Sequence, residues 1–318
     1  ANYPSGADPM NPSTWETLSS SSIWGIIDIA AQAITLTPSI PKVGQPSVVR
    51  VFFQNMQGTP LGGIRVELKK NDQPFGSKAF SGTLGPWQTG NVTFNWIAEL
   101  GSWKFSAYVT IENNPFEKDM DNNGVSSSAI TPTLIILTVK GPSTAMVMAA
   151  NETLQIIGNS VQFQKPYGPI RVNISNAVEA AGVKWLFKEW KELGTSTSAI
   201  NLNLTEDATL EAVYTPYYRC TFSFMDKANR PTYNILFGIK FPNGTTRIFT
   251  SGVPIYIPKG VSRIFSASVG GVNVLETNQS VYVEAPVDQI FVIDLRDLSL
   301  KVIDVFGFPV QAATVKAV

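Results

Sequence analysis

The chain has 318 residues, of which 44% are hydrophobic, so it can bury the cores of several domains. Lysine plus arginine number 24, as do aspartate plus glutamate; with no basic excess to neutralise phosphates, nucleic acid is not an expected partner. Histidine is absent, which removes the commonest general base and the commonest zinc ligand.

Residues 1–33 form an N-terminal extension that begins with a polar, proline-containing stretch. The tetrapeptide Ser-Thr-Trp-Glu at residues 13–16 fits a helix capping box and predicts a short helix. The apolar stretch at residues 23–33 carries Asp28 and is shorter than the roughly 20 apolar residues that span a membrane. We therefore expect no transmembrane segment and, without a signal peptide, a processed end at Ala1.

Residues 34–131 alternate between apolar and polar positions, as strands with one buried face do. Val49, Val51 and Phe53 form one such run, and turn residues separate it from the next. Short strands at this spacing predict a two-sheet sandwich. The pattern also predicts that Trp96 and Trp103 pack in the core rather than binding a sugar.

A second β segment covers residues 132–216 and is predicted to be a β-rich, repeat-like domain. Within it, residues 177–193 fit either a helix, with apolar residues four apart, or a strand. Gly182 weakens the helix and the flanking β pattern favours the strand.

Residues 217–296 read as a further β-sandwich domain. Cys220 is the single cysteine, so no disulfide forms within the chain, and its alternating apolar surroundings indicate a buried side chain rather than a reactive thiol. Residues 297–318 predict a β-hairpin. An isolated hairpin is only marginally stable in water, so this one is either the start of a further module or an assembly strand. The predicted fold class is all-β, with tandem immunoglobulin-like sandwiches after a short extension.

Several motifs in the first sandwich carry a resemblance to a known family. They are Pro41, Val43, Gly44, Val49, Val51, Asn55, Gly101, Trp103, Asp119, Asp121, Asn122 and Asn123. On these, residues 36–131 resemble the CARDB family, an immunoglobulin-like adhesion module of bacterial and archaeal surface proteins. The chain departs from the family at Met56 and Gln57, where a glycine usually follows the asparagine.

Two later blocks also resemble modules of secreted proteins. Residues 183–216, with their tryptophans and the Thr-Leu-Glu-Ala sequence at 209–212, resemble a repeat of secreted β-rich proteins. Residues 298–315, with their Phe-Gly-Phe-Pro turn, resemble the opening of a carboxypeptidase-regulatory-like β-sandwich. The mixture is similar to surface proteins of thermophilic archaea, and it implies an extracellular protein at the cell surface.

Asn-X-Ser/Thr sequons predict N-glycosylation of a surface protein. They occur at Asn91, Asn151, Asn173, Asn203, Asn243 and Asn278. The best candidate is Asn243, because it lies in a Pro-Asn-Gly-Thr turn that points a glycan into solvent.

Acidic and amide side chains crowd one loop of the first sandwich. Glu117, Asp119, Asp121, Asn122 and Asn123 offer oxygen atoms of the kind that calcium prefers, and we assign Asp119, Asp121 and Asn123 as its ligands. The loop is not an EF-hand, since it has neither the glycine at position six nor the closing glutamate. The alternative is a solvated turn whose side chains bond their own backbone. No other cofactor is expected.

The sequence shows no catalytic motif, so we expect no enzymatic activity. It favours an extracellular structural subunit of a cell-surface filament or surface layer, whose partners are copies of itself. The alternative is an adhesin, or the accessory region of a larger secreted protein, which binds cell-surface glycans. Assembly would use strand exchange through residues 23–36 or the strands after Leu298; otherwise these strands complete their own domains.

Overall fold

The computed structural model describes residues 27–112, 117–295, 306 and 308. It is nearly all β, with 62% strand, and the described residues contain no α-helix. The all-β prediction is confirmed. No helix in this part of the chain is long and apolar enough to cross a membrane.

The chain divides into two compact units. The first is built from the residues up to Ile136 together with Gln164–Pro169 and Asn203–Asp207. The second is built from Leu137–Phe163, Ile170–Leu202 and the residues from Ala208 onward. The finer division into five segments stays a prediction.

The first unit is a sandwich of two antiparallel sheets. One sheet has the order β1-β2-β5 and the other β4-β3-β6-β7. The strand bounds are β1 Ile29–Thr37, β2 Pro46–Asn55, β3 Ile64–Lys70, β4 Gln73–Ala79, β5 Thr89–Ile97, β6 Phe105–Ile111 and β7 Gly124–Ser126.

The core of this unit lies between the two sheets. Val49, Val51 and Phe53 are fully buried at alternate positions of β2, as their spacing predicts. Trp96 of β5 meets Phe105 of β6 edge to face, with ring centroids 5.2 Å apart, which confirms its packing role. Each such side chain contributes about 1.5–3 kcal/mol to stability by leaving water.

The N-terminal apolar stretch completes its own sandwich. β1 pairs antiparallel with β2, from Ile29 opposite Asn55 to Thr37 opposite Val48, and Ile29 is fully buried. The predicted boundary at residue 34 therefore falls inside β1. This is the arrangement that the sequence left open as the alternative to exchange. Residues 1–26, with the predicted capping box, lie outside the described residues.

The later strands form three further sheets. Their bounds are β8 Ile135–Lys140, β9 Met146–Ala149, β10 Glu152–Gln155, β11 Ser160–Lys165, β12 Gly168–Ile174, β13 Ala177–Ala180, β14 Val183–Trp190, β15 Ala199–Leu204, β16 Ala208–Asp226, β17 Pro231–Thr232, β18 Leu236–Lys240, β19 Thr246–Thr250, β20 Ile255–Pro258, β21 Gly260–Val269, β22 Val272–Asn273, β23 Gln279–Val283 and β24 Val287–Ile293.

The ambiguous residues 177–193 contain a β-hairpin. β13 and β14 pair antiparallel, and a two-residue turn joins them. The turn residues Ala181 and Gly182 have φ values of 50° and 75°, the left-handed conformation that suits a tight hairpin. The strand interpretation is confirmed, and the helix fails because two successive left-handed residues would interrupt it.

Strand β16 is 19 residues long and runs through the second unit. It pairs with β8, β14, β17, β20 and β24. Its second half contributes Cys220, Phe222 and Phe224 to a buried aromatic core with Phe237 and Phe291. Cys220 is fully buried, as predicted, and burial raises the pKa of its thiol to about 11.

The last predicted segment, residues 297–318, lies outside the described residues except for Phe306 and Phe308. The prediction of a hairpin or assembly strand there therefore stays a prediction.

Candidate functional site

The loop before β7 holds the predicted calcium ligands. Asp119 and Asp121 are exposed, whereas Asn123 is fully buried. The backbone N–H of Asp121 donates to Asp119 Oδ1 at 3.0 Å, so this part of the loop has the solvated Asx turn of the alternative interpretation. Only the third predicted ligand points into the protein.

Two carboxylates meet beside Asn123, and sequence reasoning assigned neither as a ligand. Asp28, just before β1, is 9% exposed, and Asn122 Nδ2 donates to its Oδ1 at 2.9 Å. Glu117 accepts a hydrogen bond from the backbone N–H of Ile29 at 3.2 Å. The pairing of the chain before β1 with the 117–123 loop brings the two acids together. No local spacing could have revealed a contact between residues so far apart in the chain.

The electrostatics of this cluster are unfavourable as they stand. Burial raises the pKa of Glu117, as do the charges of Asp28 and Asp119; the nearby Asn123 amide and the Ile29 N–H lower it. The amide of Asn123 lies beside that carboxylate, but neither of its polar atoms reaches hydrogen-bond geometry, and Asn122 Oδ1 is likewise buried without a partner. The described residues contain no ion pair to Asp28 or Glu117. They also contain no set of three acidic, histidine or cysteine side chains placed to hold a metal.

The predicted glycosylation sites lie on the surface. Five of the sequon asparagines are exposed and Asn173 is half-buried. At Asn243, in the tight turn between β18 and β19, the side-chain Oδ1 accepts hydrogen bonds from Thr245 N at 3.1 Å and from Thr245 Oγ1 at 2.7 Å. The two functional side chains of that sequon are therefore already in contact.

The outer side of the sheet β19-β18-β21 carries an exposed apolar surface, which we call the apolar face. It consists of Leu236, Ile248, Val261, Phe265 and Tyr282. Gly238 lies opposite Ile248, and Val261 lies opposite Tyr282 of β23, so these residues share one side. Large exposed apolar patches on soluble domains mark interaction sites.

An open cleft of about 450 Å³ lies elsewhere in the second unit. Its lining combines the aromatic side chains of Trp185 and Tyr214 with Lys140, Asn159 and Glu211. Trp185 is half-buried, and the Tyr214 hydroxyl donates to the carbonyl of Ser175. An aromatic surface flanked by polar groups is chemically suited to stack on a sugar ring while bonding its hydroxyls.

Comparison with known proteins gives structural likenesses of low identity. No protein-family model matches the chain, and no curated protein matches it. The crystal structure of a CARDB domain from Pyrococcus furiosus in complex with di-metal ions is 20% identical; the match covers 34% of this chain and 94% of that one, with a TM-score of 0.29.

Two pilus proteins also match. The pilus adhesin SpaC from Lactobacillus rhamnosus GG is 11% identical over 73% of this chain and 41% of its own, with a TM-score of 0.20. The pilus backbone protein RrgB from Streptococcus pneumoniae is 10% identical over 80% of this chain and 94% of its own, with a TM-score of 0.18. By its own architecture, the chain is an all-β protein whose first unit is a two-sheet sandwich.

Proposed function

We propose that the chain is an extracellular structural subunit that assembles with copies of itself into a cell-surface filament or surface layer, without enzymatic activity. The observation that carries the proposal is the apolar face. Ile248 is 71% exposed and Tyr282 58% exposed on a sheet whose other side is a packed core. Leaving these side chains in water is costly, and a second copy would remove them from it.

The architecture of the second unit supports a mechanical role. Strand β16 bonds to five partner strands along its 19 residues, so its two halves cannot separate without breaking a continuous ladder. Pro216 pairs with Trp185 of β14 and lies between the residues of β16 that pair with β8 and those that pair with β20. A shared strand of this kind transmits tension between sheets better than a flexible linker does.

Self-assembly of the purified chain tests the proposal. We expect electron microscopy and light scattering to show polymers, and Ile248→Lys to prevent them by placing a charge on the apolar face. The matched control is Ile97→Lys, because Ile97 is also exposed but lies on β5 of the first unit. Monomers at every concentration, or equal polymerisation of both variants, would refute assembly through this face.

The cleft at Trp185 favours a second candidate function, an adhesin that binds cell-surface glycans. Here Trp185→Ala should abolish retention on immobilised polysaccharide while the chain stays folded. Trp87→Ala is the control, since Trp87 is 59% exposed in the first unit and lies outside the cleft. If neither the parent chain nor the control binds any polysaccharide tested, the adhesin function is rejected.

A further inference from the structure

The polar cluster of the first unit contains two acids without a counter-charge and two buried amide oxygens without a hydrogen-bond partner. Two acidic side chains and two amides converge, and none of the described basic residues neutralises the acids. Burying a charge without a counter-charge is among the costliest arrangements in a protein. A buried amide oxygen without a hydrogen-bond partner is also rare, because most buried polar atoms are satisfied. The Oδ1 atoms of Asn122 and Asn123 are two such oxygens, and Asn123 is 0% exposed.

We infer that Asp28, Glu117, Asn122 and Asn123 form a calcium site that joins the two sheets of the first unit. The two carboxylates supply two negative charges, which match the charge of the ion. The unpartnered Oδ1 atoms of the two asparagines supply neutral oxygen ligands. Binding a cation thus satisfies the charges and the amide oxygens together.

The donor chemistry selects calcium among common cations. All four side chains offer oxygen, whereas zinc prefers the nitrogen and sulfur of histidine and cysteine. Calcium accepts six to eight oxygens in irregular geometry, from mixed carboxylates and amides with water completing the shell. Magnesium demands a near-ideal octahedron and keeps most of its water, which a site of four side-chain ligands that includes the buried Asp28 and Asn123 does not favour.

The position of the cluster gives the ion a structural role. Asp28 directly precedes β1, which belongs to the sheet β1-β2-β5. Asn123 directly precedes β7, which belongs to the other sheet. The two segments also meet through the backbone, because the N–H of Lys118 donates to the carbonyl of Ile27 at 2.7 Å. An ion held by both segments would cross-link the sheets and keep β1 in place.

Calorimetric titration of the complete 318-residue chain, stripped with chelator, tests the inference. Calcium modules of extracellular proteins bind with dissociation constants of about 10⁻⁴–10⁻³ M, so titration should extend to ~10 mM. We expect one ion per chain and a higher melting temperature in calcium than in chelator. Asp28→Asn and Glu117→Gln should each weaken binding at least about tenfold, by removing a charged ligand.

Asp72→Asn is the matched control, since Asp72 is an exposed acid in the turn between β3 and β4 and its variant should bind calcium as the parent chain does. Melting in chelator checks that each variant folds. Absence of both binding heat and thermal stabilisation by calcium would overturn the inference, as would equal weakening of calcium binding by Asp72→Asn. Equal affinity for magnesium would overturn the choice of calcium. If Glu117→Gln raises the melting temperature both in calcium and in chelator, Asp28 and Glu117 repel each other and hold no cation, and the inference is wrong.

Discussion

The ring of Phe265 lies directly over Gly238, where an added Cβ would sit 2.5 Å from the Phe265 Cζ atom. Gly238 is in the middle of β18, a position where a side chain normally gives a strand stability. The aromatic ring fills the place of the missing side chain and extends the apolar face across the strand. The contact explains why a glycine is kept in a strand interior.

Gly238→Ala should therefore destabilise the chain by about 1–2 kcal/mol, because the methyl group displaces the ring. The same change in a Phe265→Ala background should cost less, since the ring is then gone and only the Ser266 Oγ atom, 2.6 Å from the added Cβ, must move. Urea unfolding of the four chains measures this coupling as a double-mutant cycle. Equal costs in both backgrounds would show that the ring and the glycine act independently.

Asn55 is fully buried and its side chain bonds to two loops of the first sandwich, the one after β2 and the one before β5. Its Nδ2 donates to the carbonyl of Thr59 at 2.7 Å and to that of Gly85 at 3.0 Å, while its Oδ1 accepts from Gln57 N at 3.0 Å. Asn55→Ala should cost at least about 2 kcal/mol, because each orphaned buried group costs about 1–3 kcal/mol. Denaturant unfolding checks it. The neighbouring Gln54→Ala loses one exposed hydrogen bond and should cost about 0.5 kcal/mol or less.

The buried thiol of Cys220 makes stability depend on alkaline pH. Its folded pKa of about 11 lies above the unfolded value of about 8.5, because burial disfavours the thiolate. The stabilisation is complete below the unfolded pKa and is lost as pH rises through the folded pKa, with a slope of at most about 1.4 kcal/mol per pH unit. Unfolding free energies of the parent chain and Cys220→Ala between pH 8 and pH 11 isolate this slope.

Thiol reagents provide an independent check on the same residue. We expect Cys220 to stay unmodified in the native chain at pH 8 and to react fully in denaturant, because the reactive species is the thiolate and the side chain is inaccessible. Rapid labelling without denaturant would contradict this expectation.

The alternating pattern of the sequence was enough to predict the sandwich of the first unit. Val49, Val51 and Phe53 face the core because side chains alternate along a strand, a rule that needs no knowledge of partners. The strand assignment at residues 177–193 followed from similar local evidence. Properties that depend on one or two neighbours along the chain were therefore accessible from sequence.

Features that depend on long-range register were not accessible. The predicted β-rich segment ended at Pro216, whereas in the structure Pro216 lies inside β16, opposite Trp185 of β14, and the strand continues to Asp226. The same limit applies to the cluster at Asp28, whose partners come from the 117–123 loop. The composition of the 117–123 loop suggested oxygen ligands, but only the fold brings Asp28 to that loop.

The surface prediction with the clearest geometry concerns the sequon at Asn243. The Thr245 hydroxyl donates to the Asn243 side-chain oxygen, and the left-handed Gly244 at φ 83° makes this contact possible. A hydroxyl bonded to the acceptor amide, in an exposed turn, presents that amide to a modifying enzyme. We expect a glycan on Asn243 in natively produced protein and less modification, or none, at the half-buried Asn173.

Peptide mass spectrometry of chains from the native host measures occupancy at each sequon. Thr245→Ala removes the hydroxyl and should abolish the glycan at Asn243, while Thr245→Ser keeps the hydroxyl and should retain it. Neither change touches the core, because Thr245 is exposed, so melting temperatures should stay within about 2 °C of the parent. A bare Asn243 in the parent chain beside an occupied Asn173 would show that exposure and turn geometry do not determine which sequon is used.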